Sequence, residues 1–154
     1  MCVGVRSETV LAAIKYGFLK SRIGGDIVYD PEESVATEGN SGPYLQYAHA
    51  RAKSISAKSN VEPKIPTSLE SGERQLVSKL TEFSSVVGDA ISNLSPHLIC
   101  TYLYELAQTF NRFYENNRVI DDQREAERLY LLGKYTDTLK RGLDLLGITA
   151  PDQM

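Results

Sequence analysis

The sequence predicts an all-α fold, an antiparallel bundle of helices joined by short loops. Apolar residues recur at steps of three, four and seven through most of the chain, the spacing that lays one apolar stripe along a helix. Helix-opening signals stand in front of those runs, at Ser41-Gly42-Pro43, at Thr67-Ser68-Leu69-Glu70 and at Ser95-Pro96. No apolar–polar alternation extends beyond about four residues, so nothing reads as a half-buried strand, and no internal repeat is present. With 154 residues, 42% hydrophobic and 24% charged, the chain can form one compact domain with a sizeable core.

Taken in order, residues 7–22 read as a helix with Ser7 as N-cap and Val10, Leu11, Ile14 and Phe18 as its apolar face. Gly24-Gly25 stops it, and Asp30-Pro31 forces a turn after the short apolar segment Ile27-Val28-Tyr29. A short helix follows over 32–39. The next helix runs from about Pro43 to Lys58, with Asn40 or Ser41 as cap and a proline in the first turn, where its missing N–H costs nothing. Pro63 and Pro66 mark the loop 59–66. Thr67 to Glu70 has capping-box spacing and opens a helix carrying Leu76, Val77, Leu80 and Phe83. Ser84-Ser85 restarts a helix with Val86, Val87, Ala90, Ile91 and Leu94 on its inner side. Ser95-Pro96 opens a helix whose stripe of Ile99, Leu103, Leu106, Phe110 and Phe113 should be central to the core, and Asn116-Asn117 ends it. Asp121 is expected to cap the last helix, lined by Ala126, Leu129, Leu132, Leu139, Leu143 and Leu146; Gly147 suits its C′ position and Pro151 blocks continuation.

One stretch carries an unusual face. Tyr44, Tyr47, Arg51 and Ile55 fall at steps of three, four and four, along one side of a helix. Two phenol rings and a guanidinium can stack unpaired bases and hold a phosphate. The same spacing also suits a half-buried core stripe with an arginine at its edge. The formal charge of −3, from 17 basic and 20 acidic residues, does not advertise nucleic acid, but the local balance between Tyr47 and Lys64 is basic: Arg51, Lys53, Lys58 and Lys64 against Glu62.

Catalytic constellations are missing from the sequence. His49 and His97 lie far apart, and His97 with Cys100 gives only two metal ligands at helical spacing. There is no Gly-rich phosphate loop with a following lysine and no Gly-x-Ser-x-Gly. Glu125 and Glu127 read as solvated. Cys2 and Cys100 make no disulfide framework and suit a reducing, cytoplasmic compartment. No membrane span and no signal peptide are expected.

The twelve residues Asn40-Ser41-Gly42-Pro43-Tyr44-Leu45-Gln46-Tyr47-Ala48-His49-Ala50-Arg51 resemble the signature that opens the anticodon-binding domain, of DALR type, in arginyl-tRNA synthetases. The resemblance continues through Tyr102 to Ala107, Phe110 to Glu115 and Gly142 to Ile148, in order across most of the chain. It implies a helical domain over residues 40–154 and, over 1–39, the end of a catalytic region with its linker helices. It also implies a tRNA partner specific for arginine, a parent catalytic domain, and ATP and Mg as parent cofactors, with none in this segment. The parent family's nucleotide-binding signature with two histidines, and its lysine-bearing catalytic loop, have no counterpart here, so the segment should recognise tRNA without charging it.

By the same resemblance, Tyr47, Arg51 and Tyr114 help form a pocket for an anticodon base, with Met154 beside it and Tyr44 as a further candidate contact. Arg118, four residues after Tyr114, departs from the aromatic that some members carry there. His49 is expected to orient the helix or sit in the core. A monomer without membrane association is expected. Two rival readings stand beside this one: the related domain of a cysteinyl-type synthetase, which the Gly-Pro-Tyr-Leu-Gln-Tyr-Ala-His-Ala-Arg run opposes, and a helical protein-interaction bundle, which the net charge would suit.

Overall fold

The structure, a computed structural model, describes residues 7–154; the expectation for Cys2 lies outside them. Every regular element among the described residues is a helix: α1 (Ser7–Leu19), α2 (Pro31–Val35), α3 (Gly42–Ser56), α4 (Ser71–Thr81), α5 (Phe83–Ser92), α6 (His97–Asn116) and α7 (Glu125–Leu145). Helix α3 packs on α1 and α7, while α6 packs on α4, α5 and α7. The core lies between α3, α6 and α7, where Leu45, Leu103, Leu106, Leu132, Leu139 and Leu143 are fully buried. Burying one such side chain contributes ~1.5–3 kcal/mol. At its centre Phe110 stacks on Tyr135, centroids 4.0 Å apart and 13° from parallel. None of the helices among the described residues is long and apolar enough to cross a membrane.

Local chemistry sets most of the boundaries. Asp30 caps α2 by accepting from the amides of Glu32 (2.9 Å) and Glu33 (3.2 Å). Ser41 caps α3 by accepting from Tyr44 N at 3.1 Å, and its own hydroxyl donates to Ala36 O. Gly42 follows the cap at a close approach: a side chain there would collide with the Ala12 carbonyl of α1. At the other end, Gly147 adopts φ +67°, and Ile148 N returns to Leu143 O at 2.9 Å, closing α7 as a left-handed C-cap.

Several expectations are corrected. The face of α1 predicted as core is outside: Leu11 is 52% and Phe18 51% exposed, with Val10 and Ile14 also exposed. The buried face is Ala12, Ala13, Tyr16 and Gly17. Small residues let α1 approach the backbone of α3, and the Tyr16 hydroxyl donates to Asn40 Oδ1 (2.6 Å) or Cys100 O (3.0 Å). On α5, Ala90 is buried but Ile91 is 69% exposed, and Leu94, beyond the end of the helix, is 77% exposed. The capping box lies three residues beyond the predicted one: Glu70 is the N-cap of α4, and its amide donates to Glu73 Oε2 at 3.0 Å. Asp121 does not cap α7. It takes φ +56° in the preceding turn, and the helix begins at Glu125. Glu125 is tied rather than solvated, accepting from Asp121 N at 2.8 Å and from the Ser59 hydroxyl.

The later starts of α4 and α7 meet at one charged cluster. Glu73 is fully buried and accepts from Arg124 Nη2 (2.6 Å), Arg124 Nε (2.9 Å) and Arg128 Nε (3.1 Å). Arg128 also reaches Glu70 at 2.8 Å and Asp122 at 3.2 Å. Burial alone would raise the Glu73 carboxyl; Arg124, the Glu70 amide and Arg128 outweigh it and hold it down at about 2. This cage pins α4 to α7.

Candidate nucleic-acid interface

Helix α3 presents its residues on different sides because each step turns the helix by ~100°. Leu45, Ala48, Ala52 and Ile55 face the core. The predicted Tyr–Tyr–Arg–Ile stripe therefore divides: Ile55 is buried, Tyr44 half-buried, and Tyr47 and Arg51 exposed. Tyr47, Ala50, Arg51 and Ser54 line an open pocket of about 400 Å³, and Gln153 and Met154 form its other wall. This volume is within the range of small-ligand sites, ~300–1,000 Å³, and the lining mixes a phenol, a guanidinium and apolar surface.

Tyr114 reaches the site from α6. The Arg51 guanidinium carbon sits 5.4 Å from the centroid of its ring, a cation–π contact worth ~0.5–1 kcal/mol at an exposed site. Tyr114 is backed by Phe110, centroids 6.2 Å apart and 25° from parallel, and Phe110 by Tyr135. A ladder of rings thus runs from the core to the guanidinium.

Tyr44 lies one turn earlier. Its ring meets Tyr104 edge-on at 5.7 Å, and its hydroxyl accepts from Asn111 Nδ2 at 3.0 Å. Burial, then the Tyr104 phenol, raises its pKa above the usual tyrosine value against the opposing pull of Asn111 and Arg51. Tyr44 is thus built into the packing between α3 and α6.

Tyr47, Arg51 and Met154 are therefore brought together in one pocket; Tyr114 joins them through Arg51 without lining it, and Tyr44 lies outside the lining. Arg118 is not brought to it. Helix α6 ends at Asn116, so the four-residue spacing from Tyr114 no longer describes a helical stripe. Arg118 lies in the following loop, donating to Ile120 O (2.9 Å) and Asp121 Oδ2 (3.1 Å), in a separate surface hollow that it shares with Tyr114. Phe110 and Phe113 are core, as expected. The reading of single residues missed Ala50, Ser54 and Gln153, which offer no distinctive chemistry in a linear sequence. Among the described residues no three His, Cys, Asp or Glu side chains gather as a metal site.

Residues 45–154 match the family model for the DALR anticodon binding domain. The chain belongs to that family. Over 94% of its length it is 43% identical to the arginine–tRNA ligase of Cutibacterium acnes, and over 97% it is 42% identical to that of Thermobifida fusca. It spans only 29% and 27% of the length of those two proteins. Among solved structures, this DALR domain is similar to the arginyl-tRNA synthetase of Thermus thermophilus, with TM-score 0.88 and 34% identity over 96% of this chain and 27% of the other. It is also similar to the enzyme of Plasmodium falciparum, with TM-score 0.86 and 28% identity over 96% and 27%. The family and the helical-bundle architecture agree with the expectations drawn from the signature.

Proposed function

We propose that this chain binds the anticodon loop of an arginine-specific tRNA as the recognition part of an arginine–tRNA ligase. The observation that carries the reading is the pocket itself: an exposed phenol and a guanidinium on α3, with the 153–154 tail as the facing wall, and a second phenol, from α6, beneath the guanidinium. An anticodon is a single-stranded loop whose bases turn outward, and proteins read such bases by stacking and by hydrogen bonds to their edges. Tyr47 supplies a face for a base. Arg51, held over Tyr114, supplies charge and donors. Tyr44 braces α3 against α6.

The reaction belongs elsewhere in this reading. Aminoacylation, with its ATP and Mg, is the work of a parent catalytic domain; the side chains gathered here do not fit those cofactors, and we derive no step through them. On its own the chain is inactive as a ligase and needs no cofactor to bind RNA. We keep residues 1–39 as the end of the catalytic region and 40–154 as the recognition domain. The bare apolar face of α1, with Leu11 and Phe18 about half exposed, supports a contact with that catalytic region, because the curated relatives extend far beyond the segment matched here. The protein is taken to be a cytoplasmic monomer.

Titration with anticodon stem-loop RNAs tests the reading. The arginine anticodon loop should bind more tightly than loops carrying other anticodons, the cysteine anticodon included. Equal affinity for all of them would remove the specificity, and no binding to any would favour the interaction-bundle reading.

A further inference from the structure

Two residues of the signature remain without a role in the pocket. Gln46 and His49 are both fully buried on α3, three positions apart. Neither lines the pocket. Gln46 Nε2 donates to Thr149 O at 2.8 Å, and His49 Nδ1 pairs with Pro151 O at 2.8 Å. A carbonyl can only accept, so His49 carries its proton on Nδ1. The tail is also anchored by Ile148, just before these contacts, and by Ala150, between them, both buried in the core. Beyond these residues, Gln153 and Met154 reach the pocket.

The two stripes of α3 are neighbours, since Gln46 precedes Tyr47 and His49 precedes Ala50. One stripe fastens the C-terminal strap; the next forms the wall opposite the end of that strap. From this geometry we infer that Gln46 and His49 are positioning residues for nucleic-acid recognition: they clamp residues 149–151 across α3 and so make Gln153 and Met154 a fixed wall of the base pocket. The inference rests on the anticodon reading for its consequence, but the clamp itself does not depend on RNA.

A pre-set wall spares a ligand the cost of ordering it. Releasing the strap should therefore weaken binding without touching Tyr47 or Arg51. The Gln46 Oε1 and His49 Nε2 atoms are buried and make no hydrogen bond among the described residues. The donor side of each residue is thus what the fold uses, and a substitution that keeps a donor in place should keep the strap.

The test uses the whole chain. ¹H–¹⁵N heteronuclear NOE values for residues 152–154 report the tail directly, and titration with the arginine anticodon stem-loop reports the pocket. Gln46→Met and His49→Ala should lower the NOE values of 152–154 while leaving those of α6 and α7 unchanged, and should weaken RNA binding roughly three- to tenfold. His49→Asn, which retains a donor, should restore much of both. Removing residues 153–154 should weaken wild-type binding by a similar factor, yet cost less than about twofold in the His49→Ala background, because both changes dismantle one wall. Unchanged tail NOE values in both single variants would overturn the clamp. Full multiplication of the two losses would overturn its link to recognition. If wild type binds no RNA, the anticodon reading fails, and the NOE values alone decide whether Gln46 and His49 hold the tail.

Discussion

Arg51 on α3 and Arg128 on α7 carry the same guanidinium in two different surroundings. Arg128 has a side chain only 6% exposed and meets Glu70, Glu73 and Asp122 within 3.2 Å. Arg51 is exposed, and its recorded neighbour is the face of Tyr114. Carboxylates consume the first charge; a π-face steadies the second while leaving its edge toward the pocket. Arginine is suited to both uses, since its planar fork matches carboxylates and its face stacks on rings. The surroundings, and not the residue type, separate a fold-holding cation from one available to a ligand.

Replacing Glu73 should give the largest effect and should leave the pocket alone. Glu73→Gln removes the buried charge that Arg124 and Arg128 share. Taking away one partner of a buried pair costs ~3–5 kcal/mol where the remaining charge is left uncompensated; Glu70 and Asp122 still partner Arg128, so the loss should fall at the lower end of that range. Urea unfolding should register that loss at neutral pH. The sign with pH follows from the carboxyl held near 2 in the fold against 4.5 unperturbed. Its stabilisation is fully present above pH 4.5 and is lost as pH falls toward 2. The gap between wild type and variant should therefore close in acid. A gap that stays constant across that range would detach the cage from Glu73 ionisation.

On the other side of the comparison, Tyr47→Ala should spare stability and hurt binding. Tyr47 is 44% exposed, and exposed substitutions usually change stability by less than ~0.5 kcal/mol. Losing one base stack should cost ~1–3 kcal/mol of affinity with the salt dependence nearly unchanged. Unfolding on this substitution would return the stripe to the core reading.

Arg51→Ala should leave the fold intact and flatten the salt slope of RNA binding by ~0.7, the release expected for one single-strand phosphate. Arg51→Lys should restore the slope but not all of the affinity, because an ammonium lacks the flat surface over Tyr114. A slope that holds while anticodon discrimination fades would assign Arg51 to a base edge instead.

These two arginines also mark what a linear reading can reach. Helical spacing put Tyr47 and Arg51 on one side of α3, and the Ser41 cap and proline located the start of that helix. Two of the three acids that enclose Arg128, Glu73 and Glu70, lie 55 and 58 residues away, and nothing in local spacing connects them. The same limit hid the strap contacts of Gln46 and His49, whose partners are 103 and 102 residues distant. On α1, periodicity found the larger apolar stripe and took it for core. Packing instead buried Ala12 and Ala13, and Gly42 lets the α3 backbone close against Ala12 and Tyr16. Size, which decides how closely two helices approach, is invisible to a rule that counts only apolar spacing.

Arg118 completes the comparison as a third arginine, neither caged nor stacked. Its side chain is 69% exposed, and its partner Asp121 is 77% exposed. Such an exposed pair is worth little, with a median of ~0–1 kcal/mol, and is screened by salt. Spacing alone would continue the Phe110–Tyr114 stripe into it, but α6 stops at Asn116, and the loop turns the guanidinium back onto Ile120 O and Asp121. Arg118→Ala should therefore shift stability by less than ~0.5 kcal/mol and change the affinity for the anticodon stem-loop by less than about twofold at physiological salt. Neither effect should depend on which anticodon the RNA carries. A loss approaching that of Arg51→Ala, and selective for the arginine anticodon, would mean that the 117–121 loop moves onto the RNA, and the site would then extend from the α3 pocket into the hollow beyond Tyr114.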